Sequence, residues 1–294
     1  MTRTAEHTTI TMPEVAARRW RAGPPSAAYW LGSALTAVVF TWTVMALMLP
    51  SLFKDPAASV GSARGTALTL LVVALPTLLT GMALTARGSV RGSLLWSGAL
   101  AYVAYNMVLF TFGVTFNRLF LLFVASLSLA VWSLIVVLPS INREAIERST
   151  SPHLPRRSIA AYVAVATGLF GLLWLRDVVP AVINDARPAG LEGTVMLVNP
   201  VEVLDLGFTI PLAVLASVWL WRRRSWGVLL SGLILVMLTI ESVSIAVDQW
   251  FASIADPDFP TSAIALFAGM TIVNLIPLVA LLTCLTKTPD SASR

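Results

Sequence analysis

The fold is decided by residues 199–249, which read NPVEVLDLGFTIPLAVLASVWLWRRRSWGVLLSGLILVMLTIESVSIAVDQ. Two apolar runs flank three consecutive arginines at positions 222–224, the arginine turn. Each run is long enough to cross a bilayer as a helix at about 1.5 Å per residue. The arginines must stay in water or headgroups, so they mark one membrane face. Towards the other ends of the two runs lie four carboxylates: Glu202, Asp205, Glu241 and Asp248. Ionisable groups are expensive inside a membrane, so these are candidates for function.

The composition of the whole chain agrees with this stretch. The 294 residues are 57% hydrophobic and only 12% charged, with a mean hydropathy of +0.81. Soluble domains are about a quarter charged. The sequence therefore predicts an all-α polytopic membrane helix bundle. The net charge of +5 lies mostly beside the apolar runs, which is a membrane topology pattern rather than a nucleic-acid signal.

Residue types that carry cofactor chemistry are scarce. Cys284 is the only cysteine, so no intramolecular disulfide or dithiol pair can form. The only histidines, His7 and His153, and the only lysines, Lys54 and Lys287, lie outside the apolar runs. This argues against membrane haem, a histidine metal site or a buried Schiff base. There is also no phosphate-binding glycine loop with its lysine. The sequence therefore predicts no cofactor, no metal site and no catalytic residue.

Eight apolar runs divide the chain into spans and short loops. They are predicted near 26–49, 66–86, 92–113, 119–140, 158–180, 201–221, 226–248 and 261–286. The first is longer than the 7–15 residues typical of a signal-peptide core, so it is interpreted as an uncleaved helix. The longest connections, 51–65, 141–157 and 181–200, carry Pro, Gly, Ser and charge and are predicted to be loops. Residues 1–294 thus form one integral membrane domain, with tails at 1–25 and 287–294 and four helices in each of 26–140 and 158–286.

Basic residues are distributed unequally between the two ends of these runs. One side receives 15 Lys and Arg residues and the other receives 5. By the positive-inside rule, both termini and the arginine turn are predicted to be cytoplasmic, where anionic lipids would be partners. Arg outnumbers Lys by 18 to 2, which is typical of bacterial genes of high G+C content. The predicted location is a bacterial cytoplasmic membrane.

Shifting the chain by 135 residues aligns two hairpins without a gap. The matched pairs are Pro76 with Pro211, Arg87 with Arg222, Gly92 with Gly227, Leu94-Leu95 with Leu229-Leu230, and Asn106 with Glu241. The identities are few, and two unrelated apolar hairpins are the alternative. If the repeat is real, the two four-helix halves have the same orientation. Such parallel repeats occur in transporters, whose binding sites lie near the repeat interface.

Three polar residues are predicted to share one depth in the membrane. Measured from the arginine side at 1.5 Å per residue, Asn106, Asp205 and Glu241 reach about 22–26 Å into a core of about 30 Å. Burial of a carboxyl group disfavours its charged form, so each acid needs a partner or a proton. We therefore expect these residues to face a shared polar pocket, which would bind a small ligand or ion. Buried structural contacts are the alternative.

Four further residues complete the predicted site. Tyr105 adjoins Asn106, and Glu202 lies three residues before Asp205 on the same side of the helix. Arg118 and Arg176 are candidate counter-charges for the carboxylates, although interfacial anchoring is the favoured interpretation of both. Glu202 and Asp248 lie nearer the outer face, where solvation is the expected environment. Asn274 is expected to make interhelical hydrogen bonds.

Short motifs in this region resemble a family of uncharacterised bacterial multipass membrane proteins. They are Tyr105-Asn106, Phe116-Asn117-Arg118-Leu119-Phe120, Asn199-Pro200 and Val203-Leu204-Asp205-Leu206, together with Pro211 and the arginine turn. The similarity spans roughly the second to seventh helices. The resemblance implies the same fold and draws attention to Asn106 and Asp205, but it implies no substrate or activity.

Three functions are compatible with these features. A transporter or ion-coupled permease fits the repeat, the proline-containing helices and the membrane carboxylates. A membrane sensor or partner subunit that binds a small ligand or another membrane protein fits the lack of a soluble domain. An intramembrane enzyme fits least, because no His, Cys or recognised nucleophile accompanies the acids. A cavity open in turn to both faces would favour transport.

Overall fold

The computed structural model describes residues 24–285 and shows an all-α helix bundle. Its eight long apolar helices are α1 Ser26–Met48, α2 Ala57–Ala86, α3 Val90–Phe112, α4 Phe120–Ser140, α6 Arg156–Ile183, α7 Pro200–Trp221, α8 Ser225–Ala255 and α9 Ser262–Thr283. A short helix, α5 Arg143–Ser149, lies between α4 and α6. All eight are long and apolar enough to span a membrane, which confirms the predicted fold class. The predicted tails lie outside the described residues, apart from residues 24 and 25.

Three element bounds differ from the prediction. Helix α2 begins at Ala57, nine residues before the predicted run, because Gly61, Arg64 and Gly65 lower the hydropathy of a segment that is nevertheless helical. Helix α8 continues to Ala255, which shortens the predicted loop at 249–260. The predicted loop at 141–157 contains α5, whose first turn is capped by the side chain of Asn142.

Helices α3 and α8 form the centre of the bundle. Most of both helices is buried, whereas α4, α6, α7 and α9 expose most of their length. Helix α8 packs against α2, α3, α7 and α9. The large exposed side chains of the peripheral helices are apolar, as expected where lipid replaces water. Polar side chains on α3 and α8 are therefore shielded from lipid.

Backbone features recur at an offset of 135 residues. Helix ends Met48 and Ile183 correspond, as do helix starts Val90 and Ser225. The π-helical turns Leu70–Ala74 and Asp205–Thr209 correspond as well, each just before a proline that lacks a donor N–H. Two of the four left-handed positions among residues 24–285 also correspond, namely Gly88, with φ 76°, and Arg223, with φ 59°. These matches support the predicted repeat more strongly than the few identities do. Each half contains four spans, so the halves share one orientation.

Equivalent glycines allow both hairpins to close tightly. A Cβ on Gly92 would lie 2.5 Å from the backbone N of Thr85, and one on Gly227 would lie 2.1 Å from that of Leu220. Thr85 and Leu220 are also 135 residues apart. Gly168 differs from these glycines, because no atom lies within 4 Å of the place that a Cβ on it would take.

The arginine turn, α5 and the loop at 87–89 lie at one end of the bundle, the basic face. There the guanidinium of Arg143 lies 5.7 Å from the ring centroid of Trp226. Arg91 Nε donates to the Leu285 carbonyl at 2.8 Å, and the Ser151 N–H donates to the Cys284 carbonyl at 2.8 Å. These contacts tie the end of α9 to α3 and to the segment after α5. The other end of the bundle is called the opposite face.

Candidate functional site

The candidate site is built where α3, α7 and α8 carry polar residues beyond the middle of the bundle. On α3, the Asn106 amide Nδ2 donates to Glu241 Oε2 of α8 at 2.9 Å. The same amide lies 3.2 Å from the Tyr102 carbonyl, which orients it. Asn106 and Glu241 are equivalent residues of the repeat, and they touch each other. A contact between equivalent positions places this pair near the axis that relates the two halves.

The second carboxylate is held by two aromatic side chains. Tyr105 donates its hydroxyl to Asp205 Oδ1 at 3.2 Å, and Trp174 of α6 donates its indole N–H to Asp205 Oδ2 at 2.8 Å. Asp205 is the first residue of the π-helical turn in α7. Such turns occur frequently at functional sites. The residue is half-buried.

The structure brings the two carboxylates into one neighbourhood. Tyr105 and Asn106 are consecutive residues that reach Asp205 and Glu241 respectively. Glu241 is also half-buried. The hydrogen-bond partners of both acids among the described residues are neutral. Within that part of the chain, the site thus holds acidic groups that no basic side chain bonds.

The candidate counter-charges lie elsewhere. Arg118 and Arg176 are both exposed, and neither is a hydrogen-bond partner of Asp205 or Glu241. Arg118 follows the end of α3, and Arg176 lies near the end of α6. Exposure at helix ends fits the alternative interpretation, in which both arginines anchor helices in headgroups.

Glu202 has partners of its own, and its expected solvation is wrong. Only 6% of its surface is exposed. It accepts a hydrogen bond from Asn199 Nδ2 at 3.1 Å, and Asp177 is its charged neighbour. Burial follows from the loop at 184–199, which is folded rather than extended. Arg187 ties this loop by donating to the carbonyls of Leu191, Thr194 and Met196 at 3.0, 3.2 and 2.9 Å.

Sequence reasoning missed two contributors to the site. Trp174 lies on a largely lipid-exposed helix, where an indole is more commonly an interfacial anchor. Tyr102 donates to the Ser244 hydroxyl at 2.9 Å and braces α3 against α8. Beyond it, Asn274 bridges helices as predicted, accepting from Tyr162 at 2.5 Å and donating to Ser242 at 3.2 Å. The sequence signal for Tyr102 was its spacing of four residues from Asn106.

Comparison with protein-family models, with curated proteins and with solved structures gave no match. The resemblance of the short motifs therefore stays a prediction, and the function is argued from the geometry. Chemically, two neighbouring carboxyl groups can bind and release protons or hold a cation, and the rings of Tyr105 and Trp174 can face a cation as well. Within residues 24–285, no three His, Cys, Asp or Glu side chains are grouped to hold a metal.

A groove of about 860 Å³ opens beside the seam between α3 and α7, close to the opposite face. Its walls are mostly apolar and come from the end of α3, the following loop, the loop at 195–198 and the start of α7. The lining residues are Val108, Phe112, Gly113, Val114, Thr115, Val195, Met196, Leu197, Val198, Pro200, Val203, Leu204 and Phe208. Leu204 immediately precedes Asp205, so the groove borders the acidic site.

Proposed function

We propose that the protein is an ion-coupled permease in which Asp205 and Glu241 carry the coupling proton or cation. The observation that carries this proposal is the pair itself: two carboxylates with neutral partners, beside the axis of the repeat. Ionisable residues within membrane segments are rare, and they commonly mark ion and proton pathways. Sites near a repeat interface are typical of transporters.

The distorted helices supply a means of movement. Helices α2 and α7 each contain a π-helical turn followed by a proline. Both features interrupt the regular hydrogen-bond ladder, and helices bend at such points. Asp205 lies on the turn in α7, so bending of α7 would move this carboxylate relative to Tyr105 and Trp174. Binding and release at Asp205 are thereby coupled to the shape of the helix.

The proposal is tested with purified protein in vesicles loaded with the pH indicator pyranine. A potassium diffusion potential set by valinomycin would drive protons, and separate trials would impose sodium or potassium gradients. We expect the internal pH to change faster than in protein-free vesicles for at least one gradient. If protein-containing vesicles match protein-free vesicles under every gradient, with the protein folded and inserted, the permease proposal is rejected.

A sensor or partner subunit is the second candidate, and the packing of the basic half favours it. There the core residues of α3 and α8 are buried, and close contacts at Gly92 and Gly227 leave no space within the two hairpins. We therefore expect the site to communicate with the opposite face. A sensor would keep the basic half closed, whereas a permease must open it during the cycle.

Cysteine reactivity at Ser231 separates the two candidates. This residue is buried in the basic half, and its hydroxyl has no hydrogen-bond partner among the described residues. In a Cys284→Ser background, Ser231→Cys is expected to react with a water-soluble thiosulfonate during ion flux and not without a gradient. Equal, negligible labelling in both conditions would favour the sensor.

We also propose that the basic face is cytoplasmic, because basic residues concentrate there. In a Cys284→Ser background, Asp258→Cys is expected to be labelled by a membrane-impermeant maleimide on intact cells. Glu147→Cys, on exposed α5, is expected to be labelled only after the cells are opened. The reverse pattern would show that the bundle is inserted the other way.

The arginine turn is proposed to contact anionic headgroups. Its three side chains are exposed, and each basic group near an anionic surface contributes about 1 kcal/mol. Replacing all three with Gln is expected to reduce correct insertion, measured by the same labelling assay. Replacing them with Lys is expected to preserve insertion and ion flux, because charge is retained. Normal insertion with lost flux in the Lys variant would instead indicate a specific bidentate arginine contact.

A further inference from the structure

We propose that the substrates are amphipathic organic cations, which reach Asp205 and Glu241 from the membrane through the groove at the α3–α7 seam. This inference rests on the proposed function and names its substrate class. It follows from a difference between two seams that the repeat makes equivalent. Near the opposite face, the counterpart of the α3–α7 seam is the α2–α8 seam.

The α2–α8 seam is closed by backbone contact. A Cβ on Gly65 would lie 2.4 Å from the Asp248 Cα, and a Cβ on Gly61 would lie 2.5 Å from the Phe251 carbonyl oxygen. Small residues let helices approach this closely in membranes. Helix α2 is also continuous from Ala57, so it covers α8 along this region. Backbones this close leave no ligand-sized space between the two helices.

The α3–α7 seam has larger residues at the same places. The equivalents of Gly61 and Gly65 are Met196 and Pro200, and the equivalent of Asp248 is Gly113. A Cβ on Gly113 would lie 3.3 Å from the Met196 Sδ and 3.4 Å from the Pro200 Cγ, so side chains rather than backbones meet. Helix α7 begins only at Pro200. Helices α3 and α7 are therefore further apart at this seam, and the groove lies between them.

The lining of the groove comes within one helical turn of the acidic site on both α3 and α7. Tyr105, Val108 and Phe112 lie on one side of α3, because the latter two are three and seven residues beyond the first. Val108 and Phe112 line the groove, while Tyr105 donates to Asp205. On α7, Leu204 lines the groove beside Asp205. The Tyr105–Asp205 hydrogen bond thus joins α3 to α7 beside the groove.

The chemistry of the two regions specifies the ligand. The groove is mostly apolar, and its volume lies within the range of about 300–1,000 Å³ typical of small-molecule sites. Its edge carries one charged group of each sign: Arg187 donates to the Met196 carbonyl, and Asp55 accepts from Thr115. Selection by charge must therefore come from the carboxylates behind it. An amphipathic cation satisfies both regions, with its apolar part in the groove.

The test uses tetraphenylphosphonium, a permanent lipophilic cation, and tetraphenylborate, which has a similar shape and the opposite charge. Binding to purified protein in detergent would be measured by equilibrium dialysis. We expect saturable binding of the cation and none of the anion. Val203→Trp fills the groove and is expected to weaken cation binding about tenfold, equivalent to about 1.4 kcal/mol. Asp205→Asn is expected to remove the preference for the cation.

Val214→Trp is the matched control, since Val214 lies on the same helix, outside the groove. The two valines are 50% and 52% exposed, so neither indole should disturb packing. Equal binding by both variants, or equal binding of anion and cation, would overturn the inference. If the vesicles show ion flux but tetraphenylphosphonium does not bind, the proposed substrate class is wrong and the permease proposal is retained. If the cation binds and Val203→Trp weakens that binding, but the vesicles show no ion flux, the binding site is supported and the permease proposal is wrong.

Discussion

Glu241→Gln and Asp205→Asn are each expected to reduce ion flux to the rate of protein-free vesicles. Each substitution keeps the size of the side chain and its capacity to accept a hydrogen bond. Glutamine at 241 can still meet the Asn106 amide, and asparagine at 205 can still accept from Tyr105 or Trp174. What each variant loses is the ability to exchange a proton or to hold a positive charge. Flux in pyranine-loaded vesicles measures this loss directly.

Protein amount and folding must be followed in the same preparations. Asp258→Asn provides a matched control, because Asp258 is an exposed carboxylate beyond the end of α8, and we expect it to leave flux unchanged. Size-exclusion chromatography and thermal unfolding in detergent report folding. If Glu241→Gln and Asp205→Asn lower thermal stability but conduct normally, the two acids are structural contacts and the proposed coupling role is wrong.

Gly227→Ala is expected to cause the largest loss of stability. Its new Cβ would lie 2.1 Å from the Leu220 backbone N and 2.4 Å from the Trp219 carbonyl carbon. Backbone atoms cannot relieve the clash by changing rotamer, as a flexible side chain can. Helices α7 and α8 must therefore move apart. Overpacking of a buried site costs typically about 1–3 kcal/mol. The equivalent Gly92→Ala is expected to separate α2 from α3 in the same way.

Gly168→Ala is the control for these glycines. No atom lies within 4 Å of the position its Cβ would take, and alanine favours a helix over glycine by about 1 kcal/mol. We expect its unfolding temperature in detergent to equal or exceed that of the wild type. Unfolding of Gly227→Ala and Gly168→Ala at the same temperature would show that the close contact within the hairpin is not required.

The membrane architecture could be predicted because it depends on the length of apolar runs and the placement of charge. All eight spans follow from these two properties. The start of α2 could not be predicted, because Gly61 and Gly65 look like loop residues. Their role is visible only once α8 lies against them. Hydropathy measures how favourably a residue partitions into lipid. The role of these glycines is instead to let α2 and α8 pack closely, which hydropathy does not measure.

The candidate site was partly predictable. Counting residues from the arginine side placed Asn106, Asp205 and Glu241 at one depth, because helix rise is constant. Depth does not give direction around a helix axis, however. Trp174 could not be identified as a partner of Asp205, and the burial of Glu202 could not be predicted. Both facts depend on how α6 and the folded loop at 184–199 pack against α7.

The contact between Asn106 and Glu241 has a consequence for the origin of the chain. A symmetric dimer of identical four-span proteins would place the same side chain twice at this point. Two glutamates there would repel each other when ionised, and two asparagines would lack a carboxylate. An amide facing an acid requires the two copies to differ. Duplication and fusion of one ancestral gene would have allowed each copy to acquire its own residue at this position. The side chains at the centre of the bundle would then differ between the two halves, while the backbone kept its symmetry.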